Sequence, residues 1–276
     1  MLVDVAPPQS GLVGKVAVLG DSVGVGIGDP APGGGWRGFA PLLAEALGTR
    51  ALTNLSVSGS RIGCVADTQL PAAIEARPDV AVVVVGMNDT MRSDFDPVRL
   101  GDDLDRVVTG LSAVGATVVT IRYHDHQRVF PLPAPLRRAL GARIAALNAV
   151  LDAVVGRHGI PHVDLGGVPG IYLPAAWAVD RLHPSELGHR MLAMAIAARL
   201  AEAGVPVPGE VSLACTGGRP AGPLAHWAWL VFKGVPWVFR RGRDLIPYAV
   251  QSVPLPRIFK CWLRPGAGVG AEVVGG

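Results

Sequence analysis

Cysteine is scarce in this sequence, and what there is does not pair. Cys64, Cys215 and Cys261 lie far apart, three residues with no CxxC spacing. That argues against a disulfide framework or a thiolate zinc site and fits a reducing compartment. Charge is sparse as well: 17% of residues are charged and 50% are apolar. Such a chain buries a core and does not stay disordered. Long apolar runs are also missing. The mean hydropathy of +0.38 raises the question of a membrane, yet no run approaches the ~18–20 residues that a bilayer span needs. The opening "MLVDVAPPQSGLVGKV" has no basic stretch followed by an apolar one, so no signal peptide and a cytoplasmic location are expected.

What charge there is divides unevenly. Residues 206–276 hold eight Lys or Arg against three acids, within a chain of net charge +3, which leaves residues 1–205 at −2. The basic surplus therefore belongs to the tail and says nothing about the substrate of the main unit. We divide the chain into a main domain over 1–205 and a basic, Trp-rich extension over 206–276, expected to be helical.

Within the first part, short apolar runs alternate with longer amphipathic ones. "KVAVLG" (15–20), "ALTNLS" (51–56), "DVAVVVVG" (79–86), "ATVVTIRY" (116–123) and "IPHVDL" (160–165) read as strands. Their near-continuous apolar character is the pattern of strands covered on both faces. Helices are expected over about 36–48, 65–77, 96–113, 134–157 and 185–204. The strand–helix alternation predicts an α/β fold with a parallel sheet and right-handed crossovers. Reactive groups in such folds gather beyond the carboxyl ends of the strands.

Four polar blocks occupy those places. Asp21-Ser22 follows the first strand, "SVSGSRIG" with Gly59 the second, "GMNDT" with Asn88 the third, and "DRLHPSELGH" with Asp180 and His183 the fifth. A serine hydroxyl needs a base before it can attack. His183 supplies one, and Asp180, three residues earlier, can reach the imidazole in a single tight turn. Attack on an acyl carbonyl puts charge on oxygen, which the N–H groups of Ser22 and Gly59 and the amide of Asn88 could meet. Each block alone has a plainer reading. Ser22 could cap a helix, Gly59 and "GMND" could be turns, and Asp180 and Ser185 could cap the last helix. Four blocks in order, each after its strand, favour the joint reading.

The blocks "GDS", "NLSVSG", "GMND" and "DRLHP" resemble those of the SGNH (GDSL-type) hydrolase family of serine esterases and lipases, over about residues 15–204. The resemblance implies a three-layer α/β/α sandwich whose five parallel strands run in the flavodoxin-like order 2-1-3-4-5. It also implies Ser22 as nucleophile, Asp180 and His183 as its triad partners, and Ser22, Gly59 and Asn88 as the oxyanion hole, with no metal and no cofactor. Asp21 belongs to the same block and is expected to brace the turn. Val23 departs from the family's usual leucine or isoleucine, a mild change. The expected function is hydrolysis of a small acyl ester through an acyl-enzyme. An acyltransferase with an alcohol or sugar acceptor shares this machinery and is the alternative; a non-catalytic acyl- or membrane-binding module fits the complete set less well.

Other features carry less. "YHDHQ" (123–127) could be read as a metal site but lacks a third ligand, and a polar loop lining the pocket is the preferred reading. His189 is expected to be structural and Cys64 a small buried hydrophobe, while Trp36 could wall the acyl pocket or belong to the core. "GVGIG" lacks the spacing of a nucleotide loop, and no module or long basic run points to nucleic acid. In the tail, "HWAWLVFKGVPWVFRRGRDLIPYAVQSV" gathers three of the six tryptophans among basic residues. Peripheral membrane contact through residues 226–264 is one reading. A helical hairpin folded back over an apolar patch is the other and is favoured, since exposed aromatics normally find a protein partner first.

Overall fold

The computed structural model describes residues 13–217 except residue 131. Five strands, β1 (Lys15–Gly20), β2 (Ala51–Asn54), β3 (Val80–Val84), β4 (Thr117–Arg122) and β5 (His162–Asp164), form one parallel sheet in the order β2-β1-β3-β4-β5. In chain order the helices are α1 (Ser22–Val25), α2 (Phe39–Ala46), α3 (Ile62–Cys64), α4 (Leu70–Ala76), α5 (Met87–Thr90), α6 (Pro97–Ala113), α7 (Ala134–His158) and α8 (Glu186–Glu202). A π-helical turn, Val65–Gln69, joins α3 to α4. The expected α/β/α architecture and strand order are what the chain adopts. The short helices α1 and α5 were not expected, and both hold candidate site residues at their starts.

Burial follows position in the sheet. Every residue of β3 is buried, and so is all of β1 after Lys15. The edge strands differ. β2 exposes Ala51, Thr53 and Asn54, and β5 pairs with β4 over three residues. Coverage on both faces therefore fails at β2, which among the described residues has one strand neighbour and packs chiefly on the eight-residue α2. α2 packs on α8, whereas α6 packs against both α4 and α7. Right-handed crossovers, leftward from β1 to β2 and rightward thereafter, put these groups on opposite faces. α6 shows how locally the helices are specified. Asp96 accepts hydrogen bonds from the N–H groups of Val98 and Arg99, Pro97 opens the first turn, and Leu100, Leu104, Val107, Val108 and Leu111 form the buried stripe. Among the described residues, one helix, α7, is long and apolar enough to cross a membrane by length and composition. In this fold its Leu140, Ile144, Leu147 and Leu151 are buried, and the helix packs on α6 and β4.

Residues 206–217, grouped by sequence with the extension, turn back across α2 and α8. Val205 is buried, Val207 and Val211 pack on the core, and the Gly209 N–H donates to the Ala46 carbonyl at 2.9 Å. The turn ends on Glu186, which accepts from the N–H groups of Thr216 (2.7 Å) and Gly217 (3.2 Å) and from Arg37 (2.6 Å) and Arg190 (3.1 Å). Arg190 also donates to the Ser212 carbonyl at 2.8 Å. The expected helices of the extension and its aromatic stretch at 226–264 lie outside the described residues.

This packing predicts unequal truncations. Ending the chain at residue 205 removes the hydrogen bonds from 212–217 to Glu186 and Arg190, each worth about 0.5–1.5 kcal/mol net or somewhat more to a charged group. Ending it at 217 keeps the partners named above. Urea unfolding should place the 1–205 protein below the 1–217 protein; equal midpoints would show that the turn adds nothing.

Candidate active site

β1 ends against β3 at Gly20, where a Cβ would fall 2.2 Å from the Val84 carbonyl oxygen. Glycine lets the strand finish in that space. Its N–H donates to Gln69 Oε1 (2.8 Å), and Gln69 Nε2 donates back to its carbonyl (2.9 Å) and to Ser60 Oγ (3.2 Å). The π-helical turn brings this buried glutamine to the strand end. Asp21 follows, capping α1 through the Val23 N–H at 3.0 Å, and Ser22 is the first residue of α1. The serine thus stands at a helix start, and the bracing carboxylate is the expected one on Asp21.

Asp180 and His183 occupy one loop. Trp177 bridges to Pro184, and the Ala178 N–H donates to the His183 carbonyl at 2.9 Å. Arg181 takes a left-handed φ of 57° to close the turn, a conformation that costs a non-glycine residue about 1–2 kcal/mol. Its guanidinium is held on the Pro174 carbonyl at 2.6 Å. Asp180 Oδ1 accepts from the N–H groups of Leu182 and His183, both at 2.9 Å, leaving Oδ2 against His183 Nδ1 at 2.6 Å. Burial opposes ionisation of Asp180, but the hydrogen bond and charge of His183 outweigh it and hold the carboxyl below its ordinary value. With Nδ1 engaged, Nε2 is left to accept from the Ser22 hydroxyl, 2.8 Å away. Asp180 does not cap the last helix, which Ser185 caps through the Gly188 N–H; its Oδ1 closes the turn at 182–183 while its Oδ2 faces the imidazole.

The remaining candidates converge here too. Gly59 has a φ of 84°, where a side chain would be strained, and a Cβ there would face open space. Among the described residues, neither the Ser22 N–H nor the Gly59 N–H has an acceptor. The Asn88 amide is engaged: Nδ2 donates to the Ser60 carbonyl (3.0 Å) and, over a longer 3.3 Å, to Asp21 Oδ2. To serve an oxyanion it must release the longer bond. Burial pushes the Asp21 carboxyl up to about 6, against the Val23 hydrogen bond and the His183 charge. A cavity of about 190 Å³ opens over Ser22, Gly59, Asn88 and His183, with Val23, Met87, Met91 and Leu182 as its apolar walls.

Sequence reading passes over Gln69, although a polar residue on the apolar stripe Val65, Ala66, Leu70 and Ala73 was a signal. It also misplaces several side chains. Trp36 is 47% exposed, belongs to neither cavity wall nor core, and bridges to Pro30 in the glycine loop. Cys64 is exposed, since it lies on the outer side of α3. His124 and His126 do not line the cavity. Both are buried, with His126 Nδ1 2.9 Å from His124 Nε2 and their rings 4.6 and 5.5 Å from Trp177. Asp125 turns away to cap Gln127. Among the described residues no three His, Cys, Asp or Glu side chains cluster as metal ligands. His189 is buried against Phe39, with Nε2 3.0 Å from the Ile27 carbonyl.

Residues 18–191 match the GDSL-like lipase/acylhydrolase family. The chain belongs to that family. It is accordingly an ester-hydrolysing enzyme. No curated protein sequence matches it. Solved structures share its fold. LAE5, an α/β hydrolase enzyme from the metagenome of Lake Arreo, Spain, is 24% identical, with a TM-score of 0.55 over 71% of this chain and 98% of its own. Axe2, an acetylxylan esterase from Geobacillus stearothermophilus, is 21% identical, with a TM-score of 0.55 over 70% and 96%. Phospholipase A1 from Streptomyces albidoflavus NA297 is 17% identical, with a TM-score of 0.54 over 68% and 99%.

The buried imidazoles give this enzyme a defined response to acid. Burial depresses His124 to about 4, His126 to about 3 and His189 to about 4, from 6.5. Below pH 6.5 the unfolded chain takes up protons that the fold refuses, so stability present above that pH is lost as pH falls toward 3–4. Asp21 acts with the opposite sign between about 6 and 3.8, and Asp89, also raised by burial, acts with it, against the three imidazoles and the lowered carboxyls of Asp94, Asp105 and Asp180. Urea midpoints should fall steadily from pH 7 to pH 4.5, and less steeply in His189→Gln; a flat profile would contradict neutral burial.

Proposed function

We propose that this enzyme hydrolyses carboxylic esters through an acyl-enzyme on Ser22. The observation that carries the reading is the chain of contacts from Ser22 Oγ through His183 to Asp180, 2.8 and 2.6 Å, opening on a cavity. Ser22 Oγ attacks the ester carbonyl carbon while His183 Nε2 takes its proton. Asp180 holds the tautomer and offsets the imidazolium charge. The N–H groups of Ser22 and Gly59 and the Asn88 amide receive the oxyanion, with Asn88 moving its hydrogen bond from Asp21. Collapse breaks the bond to the alcohol oxygen, which leaves with the proton from His183. Water, deprotonated by His183, then attacks the acyl carbon, and Ser22 departs with its proton restored.

Ser22→Ala should lower kcat on p-nitrophenyl acetate by about 10³ or more, His183→Ala by a similar factor, and the double variant by little beyond either, because the two act as a unit. Near wild-type turnover in Ser22→Ala would remove the mechanism. Asn88→Ala should cost about 10²–10³ in kcat with a small change in KM. An effect on KM alone would make Asn88 a binding group.

A further inference from the structure

Three buried rings stand between the sheet and the loop of Asp180 and His183, and the reaction above uses none of them. His124 and His126 lie just beyond the end of β4, and Trp177 stands at the base of the loop. The Trp177 ring lies 4.6 Å from that of His124 and 5.5 Å from that of His126, centroid to centroid. Its Nε1 donates to the Ile171 carbonyl at 2.6 Å, and its backbone bridges to Pro184, the residue after His183. The histidine rings are held on each other by the 2.9 Å contact of His126 Nδ1 with His124 Nε2. Tyr172 packs on His124 at 6.0 Å and Phe130 on His126 at 5.6 Å. A ring in this group moves only by pushing a packed neighbour, which a close-packed interior resists.

This stack connects the base to the nucleophile through the sheet. Ser22 stands just past the end of β1, as His124 does past the end of β4. Both strands pair with β3, whose Val84 lies opposite Gly20 and whose Val83 lies opposite Thr120. The sheet thus fixes the histidine pair relative to Ser22, and Trp177 carries that position to His183. His126 feels the charges of Asp180 and His183, which sets it close to both. Among the described residues neither His124 Nδ1 nor His126 Nε2 has a hydrogen-bond partner, so no side chain there carries a proton from the pair to the triad. Burial keeps both rings neutral at pH 7. What they offer the site is shape. None of the three rings is among the described residues that line the cavity. Resting on the esterase reading above, we propose that Trp177, His124 and His126 are positioning residues, a rigid stack that holds His183 Nε2 within hydrogen-bonding reach of Ser22 Oγ.

The experiment, on the full chain, measures kcat and KM for p-nitrophenyl acetate and the rate at which a fluorophosphonate labels Ser22. It also records the far-downfield proton resonance of His183 Nδ1–H against Asp180, the mark of a short charge-assisted hydrogen bond. The labelling rate is taken on the fraction that finally labels, so a loss of folded enzyme cancels. A misplacement of about 1 Å costs on the order of 10²-fold. Trp177→Ala and His126→Ala should therefore slow labelling and kcat by about 10–100-fold. KM should change little and the resonance should persist, because the acid–base contact lies within the loop. His126→Phe restores a ring and should recover most of the rate. Trp177→Phe leaves a smaller gap than alanine and should fall between. Wild-type labelling in both Trp177→Phe and His126→Ala would overturn the proposal. Loss of the resonance in step with the rate would do so too, since the loop itself would have come apart. A His126→Phe as slow as His126→Ala would also sink it, by giving the imidazole a proton to handle. A wild-type enzyme that neither labels nor hydrolyses would instead remove the esterase reading, and this inference with it.

Discussion

The arrangement rests on how β1 ends. A strand buried between two others must stop, release its last peptide groups and turn without leaving them unpaired, since a buried unsatisfied group costs about 1–3 kcal/mol. Gly20 meets that demand by donating to Gln69 and by sharing its carbonyl between Gln69 Nε2 and the Val57 N–H, 3.1 Å away. The first bond fixes where Ser22 begins. The last fixes the loop carrying Gly59. Through Ser60, held by the same glutamine, the Asn88 amide is placed as well. The places of Ser22, Gly59 and Asn88 are thus referenced to a single residue.

Buried charge is handled by pairing on one flank of the site and by suppression on the other. Glu186, three residues after His183, collects Arg37 and Arg190 and the turn at 216–217, while Arg37 is itself forked onto Asp29. Beneath Trp177 the solution differs: two imidazoles face each other in an apolar setting and remain neutral. The loop of Asp180 and His183 lies between these two supports, joined to one through α8 and to the other through Trp177.

Much of this was legible in the residues. Central strands announce themselves because burial on both faces demands unbroken Val and Ala, as in β3. The four blocks stand out because polar residues directly after such strands are hard to explain by packing. Edge strands were read too generously, because Ala51 and Thr53 share an exposed face, while Leu52 is half-buried on the other and Asn54 is exposed at the strand end. His124 and His126 misled because a polar triplet suggests a surface loop, whereas an imidazole that remains neutral packs like an aromatic ring. Gln69 was missed because its partner is a peptide group 49 residues away. The return of 206–217 was missed because Val207 and Val211 are too widely spaced among polar and proline residues to announce a packed segment.

The compact loop of Asp180 and His183 reduces the geometry of the site to one adjustable coordinate. The contact between acid and base is set within four residues and is carried along whenever the loop moves as a body. Only the contact between His183 and Ser22, 161 positions apart in the chain, depends on how the loop lies against the sheet. A shift of the loop therefore stretches one distance and leaves the other intact. The aligned arrangement is lost by degrees and recovered without reassembly, so the loop behaves as a prefabricated part docked at a single joint.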